Sequence, residues 1–498
     1  MVDIFNCVND EFFHRQWGLR NIGHPGIDIN ACNAWQVSTG RNVTVAVIDQ
    51  GVMLNHPDFE TNTQGVPSFD SESRTSPQQL RGSHGTPCAG IIGAISNNFI
   101  GVAGVAPNCR LMSISNSLMG VGVLQQRNLA AAINWAWDDG GADVISNSWS
   151  HNLLQGAYIT NAINNAVTQG RNRRGCVVVF SVGNDNSQVN YPASLPNVIA
   201  VGAINRNGQR NVFSNFGITL DVVAPGEANG VFTTNWQGGY SYFGYTSAAC
   251  PHVAGIAALI LSVAPGLTAQ QVRNAIETTC NKNLSGFFAI QNRPNGTWNT
   301  HLGYGLVDAH AAVVAAIIPG PAIIEAPCQV TYTANLPVGS TNVQWSVGAG
   351  LTIVSSTPTS CIVRRANNTV QNSTISCTYT HNGQTFTITR NITVRQIRPT
   401  ALELVEANTH HAVVRGVIDR PYYFRALMPA ALRPHMLEYR WELDMFGDLP
   451  HIMEFWGENT HHDPVTFHHP DMYPLRLMVR DACGWSRAME QMIEIREW

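Results

Sequence analysis

Five short runs of apolar and β-branched residues mark the first part of the chain: VTVAVID (43–49), DVISNSW (143–149), CVVVFSVG (176–183), VIAVGA (198–203) and LDVVAPG (220–226). They are apolar nearly throughout and short, which predicts strands buried on both faces. Between several of them lie helical patterns, such as LQQRNLAAAINWAWDDG and GAYITNAINNAVTQG. Strands alternating with helices argue for a mostly parallel sheet covered on both sides. Residues 1–318 therefore read as one α/β domain of three layers. In such sheets, the residues of a site gather at the carboxyl ends of the strands.

The pattern changes after IIPGPAIIEAP (317–327), a junction bearing proline and glycine. Residues 328–395 are rich in Thr, Val, Ser and Asn, and TFTITRNITV alternates with period two. Helical spacing is absent, so a small Ig- or PKD-like β-sandwich is expected there. Residues 399–498 are rich in His, Met, Trp and Arg, and LEYRWELD and PLRLMVRDACGWS read as strands of a second small β domain.

Composition sharpens this picture in a few places. With 498 residues the chain exceeds one ordinary core. Hydrophobic residues make up 44%, charged residues 12%, and the net charge is -4, with no basic patch to suggest nucleic acid. Lys282 is the only lysine. No apolar run reaches the roughly 18 residues of a transmembrane helix. The start, MVDIFNCVNDEFF, has no basic segment followed by an apolar core, so either the protein is cytoplasmic or a leader is missing from the sequence. The 11 cysteines are scattered without a CxxC, which argues against a zinc ribbon or a thioredoxin-type site and leaves disulfide connectivity open.

Three polar residues stand at element boundaries of the α/β part. Asp49 ends VTVAVID, His84 sits in GSHGTPCAGIIGA, and Ser247 sits in FGYTSAACPHVAG ahead of a run of small residues. Each is a weak signal alone. Together they supply complementary chemistry. A serine hydroxyl needs a base within hydrogen-bond reach to act as a nucleophile. Histidine titrates near neutrality and can take that proton and return it to a leaving group. A buried aspartate fixes the imidazole tautomer and stabilises the imidazolium. A developing oxyanion needs donors already in place.

These segments resemble the subtilisin-like serine protease family (subtilases). VAVIDQGVMLNHPDF, GSHGTPCAGIIGA and GYTSAACPHVAG match its Asp, His and Ser motifs in the family's order, and VVVFSVGNDNS matches the strand that carries an oxyanion asparagine. GVAPNCRLM, FSNFGITLDVVAPG and GYGLVDAHAAV match further stretches. The resemblance covers residues 1–318 and implies a subtilisin-like fold. It implies Ser247 as nucleophile, His84 as base and Asp49 as its orienter, with the Asn184 side chain and the Ser247 N–H as oxyanion hole. The implied activity is hydrolysis of protein or peptide substrates through an acyl-enzyme. A substrate would lie extended along Ser148, Trp149 and Ser150, adding main-chain hydrogen bonds. The alternative is a catalytically silent family member that serves as a binding module.

NDEFFHRQWGLRNIGHPGIDIN and the placing of Cys88 four residues after His84 are similar to the kexin-like branch. The acidic residues that branch uses are not matched. Gln50 follows Asp49, and Asn152, Leu153 and Leu154 stand where its pocket gains an acid. Without a carboxylate to hold a basic side chain, no dibasic preference is expected. AISNNFIGV is similar to the family's metal loop, which implies a structural Ca²⁺. Its ligands would be Asp10, Asp58, the Asn98 side chain and the carbonyls of Ile95, Ile100 and Val102, a hard oxygen set. Cys88 and Cys250 read as small buried hydrophobes. His461, His462, His468 and His469 read as a solvated loop rather than a metal site, because strand neighbours point to opposite faces. The family usually has glycine where Tyr245 stands, and the reading here is that its ring lines or narrows the cleft without straining the turn. By resemblance the protein is secreted or at the cell surface, monomeric, and a partner for an inhibitory pro-segment.

Overall fold

The computed structural model describes residues 7–497 except 151–155, 287–290, 325–328, 337–338, 367–370, 382, 396–400, 407–411, 414, 418, 428–437, 446–450, 458–464, 467–470, 482–483 and 486–488. Asn152, Leu153, Leu154 and the four histidines of THHDPVTFHHP lie outside the described residues. The chain divides into two compact units. The first is Met1–Ile317 with Asn335–Pro337, and the second is Ile318–Ala334 with Val338–Trp498.

In the first unit, β1 (Thr44–Asp49), β2 (Phe69–Asp70), β3 (Arg110–Ser115), β4 (Val144–Asn147), β5 (Val177–Ser181), β6 (Ile199–Ile204) and β7 (Val222–Pro225) form one sheet. Its order is β2-β3-β1-β4-β5-β6-β7, and every pairing is parallel. All residues of β1, β4, β5, β6 and β7 are buried, so both sheet faces are covered. The helices are α1 (Ala31–Trp35), α2 (Glu60–Thr63), α3 (Gly85–Gly93), α4 (Gly122–Trp137), α5 (Ala157–Arg173), α6 (Tyr245–Val263), α7 (Ala269–Thr278) and α8 (Ala309–Ile317). A hairpin of β8 (Val231–Thr234) and β9 (Tyr240–Phe243) leads into α6. This is the expected α/β architecture.

Two strands escape the apolar pattern. β3 opens on an exposed arginine and carries Ser113 and Ser115, both buried. Their hydroxyls are satisfied locally: Ser113 Oγ accepts from the Val52 N–H, and Ser115 Oγ donates to Asp70. β2 is only two residues long. A further difference concerns α6. It is long and apolar enough to cross a membrane, yet 89% of that stretch is buried inside the protein. It packs across β4, β5, β6 and β7 as a core helix.

The second unit is all β. β12 (Ile323–Ile324), β14 (Thr341–Val347), β17 (Gln371–His381) and β18 (Gln384–Val394) make one sheet, and β13 (Gln329–Thr333), β15 (Leu351–Thr357) and β16 (Ser360–Arg365) make another. The two-residue alternation of buried positions along β17 and β18 turns one side chain in two toward the interior. Residues 401–496 build two further sheets around their own core, which includes Phe424, Trp441, Leu443 and Leu477. β10 (Gln291–Arg293) and β11 (Gly296–Trp298) form a separate hairpin in the first unit.

Candidate active site

Asp49 is the last residue of β1, a central strand, and its side chain is fully buried. One carboxylate oxygen accepts the Gln50 N–H at 2.7 Å, and both lie 2.9 Å from His84 Nδ1. His84 is the residue before α3. The glycine after it is needed for this approach. A Cβ on Gly85 would stand 2.4 Å from the Gly51 carbonyl and 3.1 Å from the Asp49 Cβ. Gln50 fastens the segment leading to His84: its carbonyl accepts the N–H groups of Arg81 and Gly82, and its Oε1 accepts that of His84. Burial pushes the imidazole pKa down, but the Asp49 carboxylate and then Cys88 raise it well above the ordinary value.

Ser247 lies in the first turn of α6. Pro251, four residues on, has no N–H, so the Ser247 carbonyl loses its helical partner. The Ser148 hydroxyl takes that carbonyl at 2.9 Å, and the Cys88 thiol approaches it at 3.6 Å. The sequence pair Ser–Pro at this spacing thus ties the start of α6 to the end of β4. Cys88 Sγ is also 4.0 Å from His84 Nδ1, so the same thiol touches both groups. Ser247 Oγ itself donates to the Ser148 carbonyl at 3.4 Å. The next histidine, His252, turns inward: Nδ1 meets the Ala248 carbonyl at 2.7 Å, and burial pushes its pKa down to about 4.

Asn184 follows β5. Its Oδ1 accepts both the N–H (3.0 Å) and the hydroxyl (2.8 Å) of Thr246. That assignment fixes the amide: the acceptor end faces Thr246, and the NH₂ end remains for another partner. Asp49, Ser148 and Asn184 thus stand at the carboxyl ends of the neighbouring strands β1, β4 and β5, with Ser247 brought to them by α6. A buried acid, an imidazole, a hydroxyl and an exposed amide NH₂ in one place can support attack by the hydroxyl on a carbonyl.

A family model for the subtilase family matches residues 40–305, which is the part of the chain that carries these residues. The chain belongs to the subtilase family. It is 36% identical to thermitase of Thermoactinomyces vulgaris over 310 residues, covering 61% of this chain and 98% of thermitase. It is 40% identical to subtilisin NAT of Bacillus subtilis subsp. natto over 279 residues, 55% of this chain and 66% of that relative. It is 32% identical to a calcium-dependent protease of Trichormus variabilis, across 66% of this chain and 54% of that one. Among solved structures, a protease from Pseudoalteromonas arctica PAMC 21717 aligns with a TM-score of 0.53 at 30% identity, covering 62% of this chain and all of that one.

Other residues singled out from the subtilase motifs fall into place unevenly. Ser148 and Trp149 are buried and Ser150 is exposed. The Trp149 indole points into the core, where it packs edge-on against Phe180 at 5.1 Å and donates to the Ile48 carbonyl. Its side chain is therefore committed to the core, which leaves only its backbone for contacts of the kind expected along residues 148–150. Tyr245 corrects the expectation of an unstrained turn. Its φ is 65°, the left-handed region that favours glycine, and its ring packs on Phe213 at 4.7 Å while remaining 41% exposed. Sequence reasoning missed Thr246, which orients Asn184, and Phe243, whose ring meets His84 edge-on at 5.2 Å. Thr246 is next to Ser247 in sequence, but only the fold reveals its partner.

The metal-loop residues also converge. Asp58 Oδ1 accepts from the Asn98 amide, Asp58 Oδ2 from the Val102 N–H, and Asp10 Oδ2 from the Asn97 N–H. The Ile95 N–H bonds the Asp58 carbonyl, and the Ile100 N–H bonds Asn98 Oδ1. Asp10 Oδ1 is buried without a hydrogen-bond partner. Burial pushes the Asp10 pKa up to about 6, the Asn97 N–H pulls it back and Asp58 raises it further; burial also raises Asp58. Two buried carboxylates, one with an orphaned oxygen, fit a hard cation. The Tyr240 hydroxyl, which also bonds Asp58, was not foreseen.

Proposed function

We propose that this chain is a serine endopeptidase that cleaves protein substrates through an acyl-enzyme. The observation that carries the proposal is the pairing of the buried Asp49 with His84 Nδ1 at 2.9 Å, beside an Asn184 amide whose NH₂ end Thr246 leaves available. In this reading His84, with Nδ1–H donated to Asp49, takes the Ser247 proton at Nε2 as Oγ attacks the substrate carbonyl. Asn184 Nδ2 and the Ser247 N–H receive the oxyanion. The tetrahedral intermediate collapses as His84 returns the proton to the leaving amine. Water, activated by the same imidazole, then releases the acyl group. The lack of a second acid at Gln50 supports a preference other than paired basic residues.

Asp10, Asp58 and Asn98, with the carbonyls of Ile95, Ile100 and Val102, would hold a Ca²⁺ that braces the loop without entering the reaction. The relatives named as calcium-dependent proteases support this assignment. Secretion belongs to the same reading, and the Cys7–Cys32 disulfide, a bond that persists in oxidising compartments, supports it. Residues 328–395 and 399–498 would be separate β modules that anchor the enzyme or present substrate, a division supported by the core confined to residues 402–495.

A second reading, a silent subtilase that only binds peptides, draws on the absence, among the described residues, of a hydrogen bond between Ser247 Oγ and His84. Hydrolysis of a denatured protein substrate separates the two. The wild type should cleave it, and Ser247→Ala should lose essentially all of that activity. Binding without cleavage by the folded wild type would favour the silent reading. A peptide-library profile dominated by paired basic residues would overturn the assigned specificity.

A further inference from the structure

The β-sandwich of residues 318–395 holds two thiols that play no part in the site described above. Cys361 lies on β16 and Cys377 on β17, which belong to different sheets. Both follow the buried positions of their strands, and both are fully buried.

Contacts between the sheets bring the two cysteines to the same level. Trp345 is the register partner of Cys377 on β14. Its indole N–H donates at 2.9 Å to the carbonyl of Thr357 on β15, one residue from Ser356, the register partner of Cys361. On the other flank, Tyr332 is the register partner of Cys361 on β13. The Arg390 guanidinium lies 5.9 Å from the Tyr332 ring. Arg390 sits on β18 two residues from Ile388, the register partner of Cys377. On both flanks, therefore, a register partner of one thiol approaches a residue within two positions of a register partner of the other. Burial pushes the Cys377 thiol up to about 11, and Cys361 is near enough to push it further in the same direction.

We propose that Cys361 and Cys377, free thiols in this structure, are the two halves of an inter-sheet disulfide that staples the sandwich. The chain already carries one disulfide, Cys7–Cys32, and disulfides persist in oxidising compartments. A bond needs Cα atoms within about 7 Å, closer than the ~10 Å spacing of packed sheets. Oxidation therefore draws the two sheets together at this level.

The oxidant is a low-molecular-weight or protein disulfide. The thiolate of one cysteine attacks a sulfur of the oxidant and releases one thiol. The second cysteine then attacks the mixed disulfide and releases the other. Two protein thiols and one disulfide become one protein disulfide and two thiols, and the two protons end on the released thiols. The thiolate is the attacking species, and the folded sandwich keeps both groups protonated and covered. The exchange therefore belongs to folding, before the sheets close.

The test is peptide mapping of the full chain refolded in a glutathione redox buffer, then denatured in iodoacetamide without reductant. The expected result is a cross-linked peptide pair containing residues 361 and 377, about 2 Da lighter than the two free peptides together and separated by reductant. Full alkylation of both cysteines, or a bond from either to another cysteine such as Cys328 or Cys483, overturns the proposal. A Cys361→Ser, Cys377→Ser double variant gives an independent readout. Reductant should lower the unfolding temperature of the second unit in the wild type to that of the variant. Identical wild-type values with and without reductant would contradict the staple.

Discussion

Tyr245 places a bulky ring where the backbone favours glycine. The left-handed conformation costs on the order of 1–3 kcal/mol, and the ring contact with Phe213 returns about 0.5–1.5 kcal/mol. Tyr245→Ala keeps the strain and loses the ring, so urea unfolding should show a loss of about 1 kcal/mol. Tyr245→Gly removes the strain as well and should be at least as stable as the wild type. An alanine variant more stable than the glycine variant would contradict this reading of the turn. Asn184→Ala removes one donor to the oxyanion and should lower kcat by about 10²–10³ with KM little changed, a magnitude established for such a donor in a subtilisin rather than derived from this chain. His84 must be neutral to act as base, and Asp49 raises its pKa. Activity should therefore climb with pH through a value above the ordinary histidine range, as a pH series of kcat/KM would show. Asp49, His84, Asn184 and Ser247 were legible because each sits in a motif at an element boundary. The φ of Tyr245 and the inward turn of Trp149 were not, since both are set by tertiary neighbours.

The segment that delivers His84 to Asp49 is held from outside the motifs. Arg81 forks onto Asp70 through Nε at 2.6 Å and Nη2 at 2.8 Å, while its backbone N–H bonds Gln50. Burial alone would raise the Asp70 pKa, but Arg81, the Ser73 N–H and the Ser115 hydroxyl outweigh it and hold the carboxyl well below its usual range. A depressed carboxylate contributes its full stabilisation above the ordinary pKa of about 3.9 and loses it as pH falls through the lower folded value. Asp70→Asn should cost about 3 kcal/mol near neutrality. Thermal melts of the wild type and the variant should then converge as pH drops below about 4. A gap that stays constant down to strong acid would show that this ion pair does not carry the difference. The strands β1, β4, β5, β6 and β7 could be read from short apolar, β-branched runs whose polar residues fall at the strand ends. β3 could not, because it opens on Arg110 and Ser113 breaks its apolar run in the middle. α6 shows the reverse ambiguity: composition alone cannot tell a buried core helix from a membrane span.

For the whole molecule, the metal loop joins three distant pieces of chain, around residues 10, 58 and 95–102, so a bound cation would act on the stability of the entire first unit. A chelator should lower its unfolding temperature and added Ca²⁺ should restore it. Asp10→Asn and Asp58→Asn should each abolish the calcium-dependent part of that shift. An unchanged transition in chelator would remove the ion from the account. The change of pattern after residue 317 was legible as a switch from helical spacing to alternation. The facing of Cys361 and Cys377 was not, because strand pairing and sheet packing decide it. The central claim, that Ser247 is the nucleophile of a working site, is tested most directly by a fluorophosphonate probe followed by peptide mass mapping. The account predicts one label per folded chain, located on Ser247 and lost in Ser247→Ala. Folded wild-type protein that takes no label, or a label that survives the substitution, would contradict it.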